Sequence, residues 1–332
     1  MRSPSCTRRA LLRALIAAGM MGQSIALASG QGSFPNKPVR LIVPFAPGGS
    51  TDVLTRLIGA QMSTRLKEPV TVENRTGASG NIAADYVAKA PPDGYTLVMG
   101  SIGTHATNSL IYRNMPYDPV NDFAPIALAG EVTLVLVVHP DLQVQSVSEL
   151  VQLLKNRPGS ISYASGGVGA SQHLAAELFK YSTHTSMLHV PYKGSAGALV
   201  DLVSGRVPVM FADLPLVLPH IENGALRALA VCDPVRNAVI PRVQTMQEAG
   251  VADYVATAWY ALFAPAQTPA DHLQILQRNV ADILQAPEVI KAIQDIGAKP
   301  GDAVGEKLRA FQLKEIARWK TVVKVAGISM DN

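Results

Sequence analysis

The sequence predicts an α/β protein built as two successive series of strand-helix units. Three observations carry this expectation. First, short alternating or continuous apolar runs alternate with stretches of helical periodicity. Second, glycine-rich turns join strand to helix at corresponding places in both series. Third, 332 residues with 48% hydrophobic and 16% charged residues provide enough material for about two packed domains and exclude a disordered chain. Alternation of this kind favours a mostly parallel sheet covered by helices.

In the first series, Val39, Leu41 and Val43 alternate as a strand, and Val53, Leu54, Leu57, Ile58, Met62 and Leu66 then recur at helical spacing. A strand over 70–73, a helix over 81–89, a turn at Pro92-Asp93-Gly94 and a strand over 95–99 complete it. The second series opens with a strand over 132–138 and a helix from Val147, with Ser146 and Glu149 at capping-box spacing. Strands over 161–164, 187–190, 207–211 and 226–231 follow, with helices over 170–181 and 196–204 between them. A strand over 259–264 precedes terminal helices that start at Thr268-Pro269 and include an amphipathic stretch over 303–325. No Gly/Ser linker separates the series, and the boundary is placed near Gly130. Terminal helices after the second series fit two lobes between which the chain crosses twice.

Residues 1–28 read as a secretory signal peptide: Arg2, Arg8, Arg9 and Arg13 precede or open an apolar stretch that ends in Ala26-Leu27-Ala28. The stretch Thr7 to Arg13 also has the pattern of a twin-arginine signal, and both export routes stay open. Without this leader the formal +4 falls to zero, with 25 basic against 25 acidic residues. The body has no basic block, and no nucleic-acid partner is expected. Cys6 leaves with the leader, so Cys232 remains alone, cannot form an internal disulfide, and reads as a buried strand-end thiol. The expected product is soluble and periplasmic.

Two loops carry the chemistry. Pro44 to Asp52 joins a strand to a helix, with Ala46, Gly48 and Gly49 clearing space and Ser50 and Thr51 opening the helix. Ser165, Gly166, Gly167, Gly169 and Ala170 repeat the arrangement, followed by His173. Bare backbone amides at a helix start form an anion site. Gly167-Val168-Gly169 lacks the third glycine of a dinucleotide fingerprint, and the first loop lacks the Gly-Lys ending of a phosphate-binding loop. No Gly-x-Ser-x-Gly elbow is present at the first loop, and the histidines have no partners at zinc spacing, so neither catalytic residues, a metal nor a cofactor is expected. Asp213 is a candidate for an amine or protonated acid group of a ligand.

Phe34-Pro35-x-Lys37-Pro38, Val43 to Asp52, Glu73-Asn74-Arg75-x-Gly77-Ala78-x-Gly80 and Pro92 to Leu97 together resemble the Bug family of extracytoplasmic binding proteins of tripartite tricarboxylate transporters. The match continues through Gly103-Thr104-His105-Ala106-x-Asn108, residues 164–173, Val190 to Gly194 and Ala264-Pro265-x-x-Thr268-Pro269. Thr76 and Cys232-Asp233-Pro234 depart from the family pattern without touching the loops. The resemblance implies a two-lobed Venus-flytrap with the ligand in the interlobe cleft. Lobe 1 would comprise 34–130 plus 258–332, and lobe 2 131–257. It further implies carboxylate capture by the two loops and a ligand contact from Thr104. The ligand class is a di- or tricarboxylate, an amino acid or an aromatic acid. The partners would be membrane transporter subunits; a sensor kinase, or an enzyme using the same cleft, are the alternatives.

Overall fold

The computed structural model describes residues 34–329, and from Lys37 onward the chain forms one compact unit. The leader expected at 1–28 lies outside the described residues.

The first series forms β1 (Val39–Val43), α1 (Ser50–Leu66), β2 (Val70–Asn74), α2 (Asn81–Ala88) and β3 (Thr96–Ser101). Both β2 and β3 run parallel to β1, which lies between them. Leu54, Ile58 and Met62 are the buried stripe of α1. A Cβ on Gly59 would lie 3.2 Å from Leu41 Cδ1, so the helix rides close to β1. After a turn over 103–107 and the short α3 (Asn108–Ile111), the chain enters β4 (Phe123–Val138).

This 16-residue strand is the structural axis. Only its second half, 132–138, is expected from sequence. The first half carries Pro125 and Gly130, residues that ordinarily interrupt a strand. The structure accommodates both at register shifts in the pairing with β9.

Beyond β4 come α4 (Val147–Asn156), β5 (Ser162–Ser165), α5 (Ser171–Thr183), β6 (Leu188–Pro191) and α6 (Ser195–Val203). Ser146 caps α4 by accepting the Glu149 N–H at 3.2 Å, as its spacing predicts. Then follow β7 (Val209–Asp213), α7 (Leu214–Glu222), β8 (Arg227–Val231) and β9 (Thr257–Pro265). The chain closes with α8 (Ala270–Leu284), α9 (Pro287–Asp295), β10 (Ala298–Pro300) and α10 (Glu306–Val325).

The sheet order is β2-β1-β3-β9-β4-β7-β5-β6, with β8 and β10 also on β4. The expected mostly parallel sheet is therefore corrected to a mixed one. Every partner of β4 is antiparallel to it, because strands that leave one half and return to it reverse direction. Residues 123–133 of β4 pair with β9, and 134–138 pair with β7. One continuous strand thus belongs to two sheets. The chain returns after β8, where Cys232 N–H donates to Leu134 O and Ala256 N–H donates to Cys232 O. Leu134 to Val138 are fully buried, and Val135 and Val137 join Met210, Ala212, Leu214 and Val217 in the core of the second sheet. Each such side chain contributes about 1.5–3 kcal/mol of burial. Cys232 is buried there, and burial pushes its thiol pKa up.

Candidate functional site

Three strand-to-helix turns meet at one cavity. The first joins β1 to α1. Asp52, in the first turn of α1, accepts the Gly48 N–H at 3.0 Å, Asn74 Nδ2 at 2.9 Å and Arg56 Nε at 2.9 Å. Asn74 Nδ2 also donates to Phe45 O at 3.0 Å, which ties the turn to β2. Burial raises the Asp52 pKa, but the bonds from Arg56, Asn74 and Gly48 outweigh it and hold the carboxyl below its ordinary value.

The second turn joins β5 to α5. Gly167 and Gly169 have φ of 139° and 80°, where side chains are strained. Ser165 Oγ accepts the Gly167 N–H at 3.1 Å, and His173 Nδ1 accepts the Gly169 N–H at 3.1 Å. The His173 ring stacks on His189 at 4.2 Å between centroids, and His189 Nε2 lies 2.7 Å from Ser165 Oγ. Burial, then Lys180, lowers the His173 pKa to about 4, and burial, then His173, lowers that of His189 to about 3. Neutral imidazoles therefore brace this turn.

The third turn joins β6 to α6 through Gly194, with φ of 127°. A Cβ there would lie 3.3 Å from Ala46 N, so this turn abuts the first. Thr107 Oγ1 also donates to Gly169 O at 2.9 Å, linking the segment after β3 to the second turn.

The cap residues of α1, α5 and α6 are Gly49, Ala170 and Gly194, and none supplies a side-chain cap. All three, with the helix openers Ser50, Ser171 and Ser195, line one narrow cavity. Phe45, Thr51, Ser101, Ile102, Gly166, Gln172 and Tyr260 complete the wall, which has no charged side chain. Each helix start carries roughly half a positive charge and unsatisfied N–H groups. The cavity thus presents helix-start amides and hydroxyls, and no lysine or arginine lines it. Ser50 Oγ is buried there without a hydrogen-bond partner.

Of the sequence candidates, Gly49, Ser50, Thr51, Gly166 and Ala170 reach the wall. Ala46, Gly48, Thr104, Ser165, Gly167, Gly169, His173 and Asp213 stand off it. Gly48, Ser165, Gly167, Gly169 and His173 are committed to the hydrogen bonds that fix the two turns. The Ala170 N–H likewise goes to Gly167 O at 3.2 Å. Thr104 is fully buried, and its Oγ1 accepts the Ser101 N–H at 2.9 Å and lies 2.9 Å from His105 Nδ1. Asp213 lies directly behind Tyr260 and Gln172.

Sequence reasoning missed the third turn and the wall residues Ser101, Gln172, Ser195 and Tyr260. Lys193-Gly194-Ser195 has one glycine, and only the family motif over 190–194 and the expected start of a helix at 196 marked it. The Arg75 side chain does not line this cavity; it is paired with Glu73 and stacked 3.6 Å from the Tyr86 ring centroid.

Two sheets sharing a strand, with a cavity walled by helix starts, define an α/β protein with the two-lobed periplasmic-binding-protein fold. A protein of R. palustris solved with adipate is 41% identical, covering 89% of this chain and 99% of its own, with a TM-score of 0.87. MatC from Rhodopseudomonas palustris, solved with bound malate, is 32% identical over 87% of this chain and 100% of its own, with a TM-score of 0.84. Protein BugT of Bordetella pertussis is 38% identical over 299 residues, 90% of this chain and 92% of BugT. The chain belongs to the tripartite tricarboxylate transporter family of receptors, whose family model matches residues 54–328.

Proposed function

We propose that the mature protein is a periplasmic receptor that closes over a small carboxylate and presents it to the membrane subunits of a tripartite tricarboxylate-type transporter. The observation that carries this reading is the convergence of three uncapped helix starts, at Ser50, Ser171 and Ser195, on a cavity without charged walls. Amides at these starts hold the carboxylate oxygens, and the glycines admit them. This revises the two-loop clamp: the amides of Gly167, Gly169 and Ala170 brace the turn, and Ser171, Gln172 and Ser195 face the ligand. Lobe 1 comprises 34–130 plus 258–332 and lobe 2 131–257, with the hinge where β4 passes between sheets. Export follows cleavage after Ala28.

Binding proceeds without turnover. Catalysis would need an activated nucleophile or paired carboxylates on the wall. Ser165 and His189 are within hydrogen-bond reach, but Ser165 is fully buried, off the wall, and engaged by the Gly167 N–H.

A thermal-shift panel of the mature protein tests the proposal. It spans four- to six-carbon dicarboxylates, as suggested by the malate and adipate of the similar proteins, with tricarboxylates, amino acids and aromatic acids. At a ligand concentration about 100 times Kd, stabilisation reaches roughly 2.7 kcal/mol. The hit is recovered unchanged by mass spectrometry. A panel without a hit, or conversion of the hit to product, overturns the reading.

A further inference from the structure

We propose that Asp213 makes the cavity selective for carboxylates that also carry an ammonium group; this rests on the receptor function proposed above. Asp213 ends β7 and is 1% exposed. Its Oδ1 accepts Gln172 Nε2 at 2.8 Å, and its Oδ2 accepts the Tyr260 hydroxyl at 2.9 Å. Both partners stand on the cavity wall, as does Ser50, whose hydroxyl lies against the same carboxylate.

What surrounds this acid is neutral. Gln172 comes from α5, Ser50 from α1, and the one titratable group against it is Tyr260 from β9. No lysine, arginine or histidine among the described residues pairs with it. Burial raises its pKa, opposed only by hydrogen bonds from neutral groups. A buried carboxylate without a cation, set just behind a ligand wall, is complementary to a cation delivered by the ligand.

The hydrogen-bond valences agree. Both Asp213 oxygens accept, and the Gln172 nitrogen is turned toward the carboxyl. The amide's second hydrogen goes to Ser195 Oγ at 3.0 Å. Gln172 Oε1 is then left as an acceptor, 3.3 Å from where a Cβ on Gly166 would lie, at the cavity wall. Tyr260 has one hydrogen and spends it on Asp213, while Thr51 lies against the same hydroxyl. Asp213 thereby turns Gln172 into an acceptor on the wall, opposite the donors of the helix starts. An amino acid zwitterion supplies both complements. A plain dicarboxylate adds negative charge beside Asp213 and has to bring in a proton.

Calorimetry with matched pairs on the mature protein tests this: aspartate against succinate, glutamate against glutarate, norvaline against valerate. In the parent the amino member of the bound pair binds about tenfold tighter or more, and in Asp213→Asn the ratio falls to near one. Repeating the parent titration in two buffers of different ionisation enthalpy shows uptake of about one proton for the dicarboxylate and little for the amino acid. The proposal is overturned if the deamino members bind as tightly in the parent, or if the ratio survives in folded Asp213→Asn. Should that variant not fold, the parent's ratio and proton count decide. Binding of the deamino members alone removes this role and leaves the receptor intact; binding of no member of any pair removes the receptor function itself.

Discussion

Gly166 is the position where one added methyl bears most directly on ligand capture. A Cβ there would lie 3.1 Å from Ser195 Oγ, 3.2 Å from Ser195 N and 3.3 Å from Gln172 Oε1. Those are distances at which a ligand oxygen would sit to accept the Ser195 N–H. The Gly166 backbone is outside the positive-φ region, so an L-residue is not strained there. Gly166→Ala therefore places its methyl where the proposed carboxylate belongs, and Ser195 and Gln172 have to give by a few tenths of an ångström. Losing one hydrogen bond to a charged group costs about 1.5–3 kcal/mol, or roughly 10- to 150-fold in affinity. Gly167→Val is the unsuitable variant, because φ of 139° makes any side chain strain the turn. Isothermal calorimetry with the tightest carboxylate of the panel, beside the Tm of the free protein, measures both effects. A Gly166→Ala protein with unchanged Tm that binds as tightly as its parent would refute the assignment of Ser195 to the ligand.

Asp52→Ala removes the acceptor of the Gly48 N–H and the partner of Arg56 and Asn74, so both Tm and ligand affinity fall. Because the native Asp52 pKa lies below its unfolded value of about 3.9, its stabilisation is full above that pH and is lost as pH falls through the native pKa. Urea unfolding of parent and variant should therefore converge in strong acid. His173 has its native pKa near 4, below an unfolded value of about 6.5, so its contribution is full above 6.5 and declines down to 4. His173→Gln, whose amide oxygen still accepts a backbone N–H, should reduce the slope of stability against pH in that window by up to about 1.4 kcal/mol per unit. Intact-mass analysis of the exported protein should begin at Ser29; retention of Met1 contradicts the leader assignment.

Local patterns made much of this molecule legible. Alternation at Val39, Leu41 and Val43, helical spacing through α1 and the Ser146 cap depend on neighbours in sequence, and the structure places them as expected. Features set by distant partners were not legible. Pro125 and Gly130 look like strand breakers until β9 supplies a partner with matching register shifts. Pro219 inside α7 hides that helix in the same way. At the site, glycine and serine content located two of the three turns. It did not distinguish amides that face the cavity from those turned inward, because the acceptors Asp52, Ser165 and His173 decide that. The Tyr260 to Asp213 contact spans 47 positions and joins two sheets, so no local signal announces it.

The central claim is that backbone amides at three helix starts, not basic side chains, hold the ligand's carboxylate. A crystal structure of the mature protein with its tightest-binding carboxylate tests it most directly. The account predicts carboxylate oxygens about 3 Å from amide nitrogens at the starts of α1, α5 and α6, with no lysine or arginine in contact. A carboxylate seated instead on Arg40, Arg75 or Lys37, in the groove beside Tyr86, would contradict it.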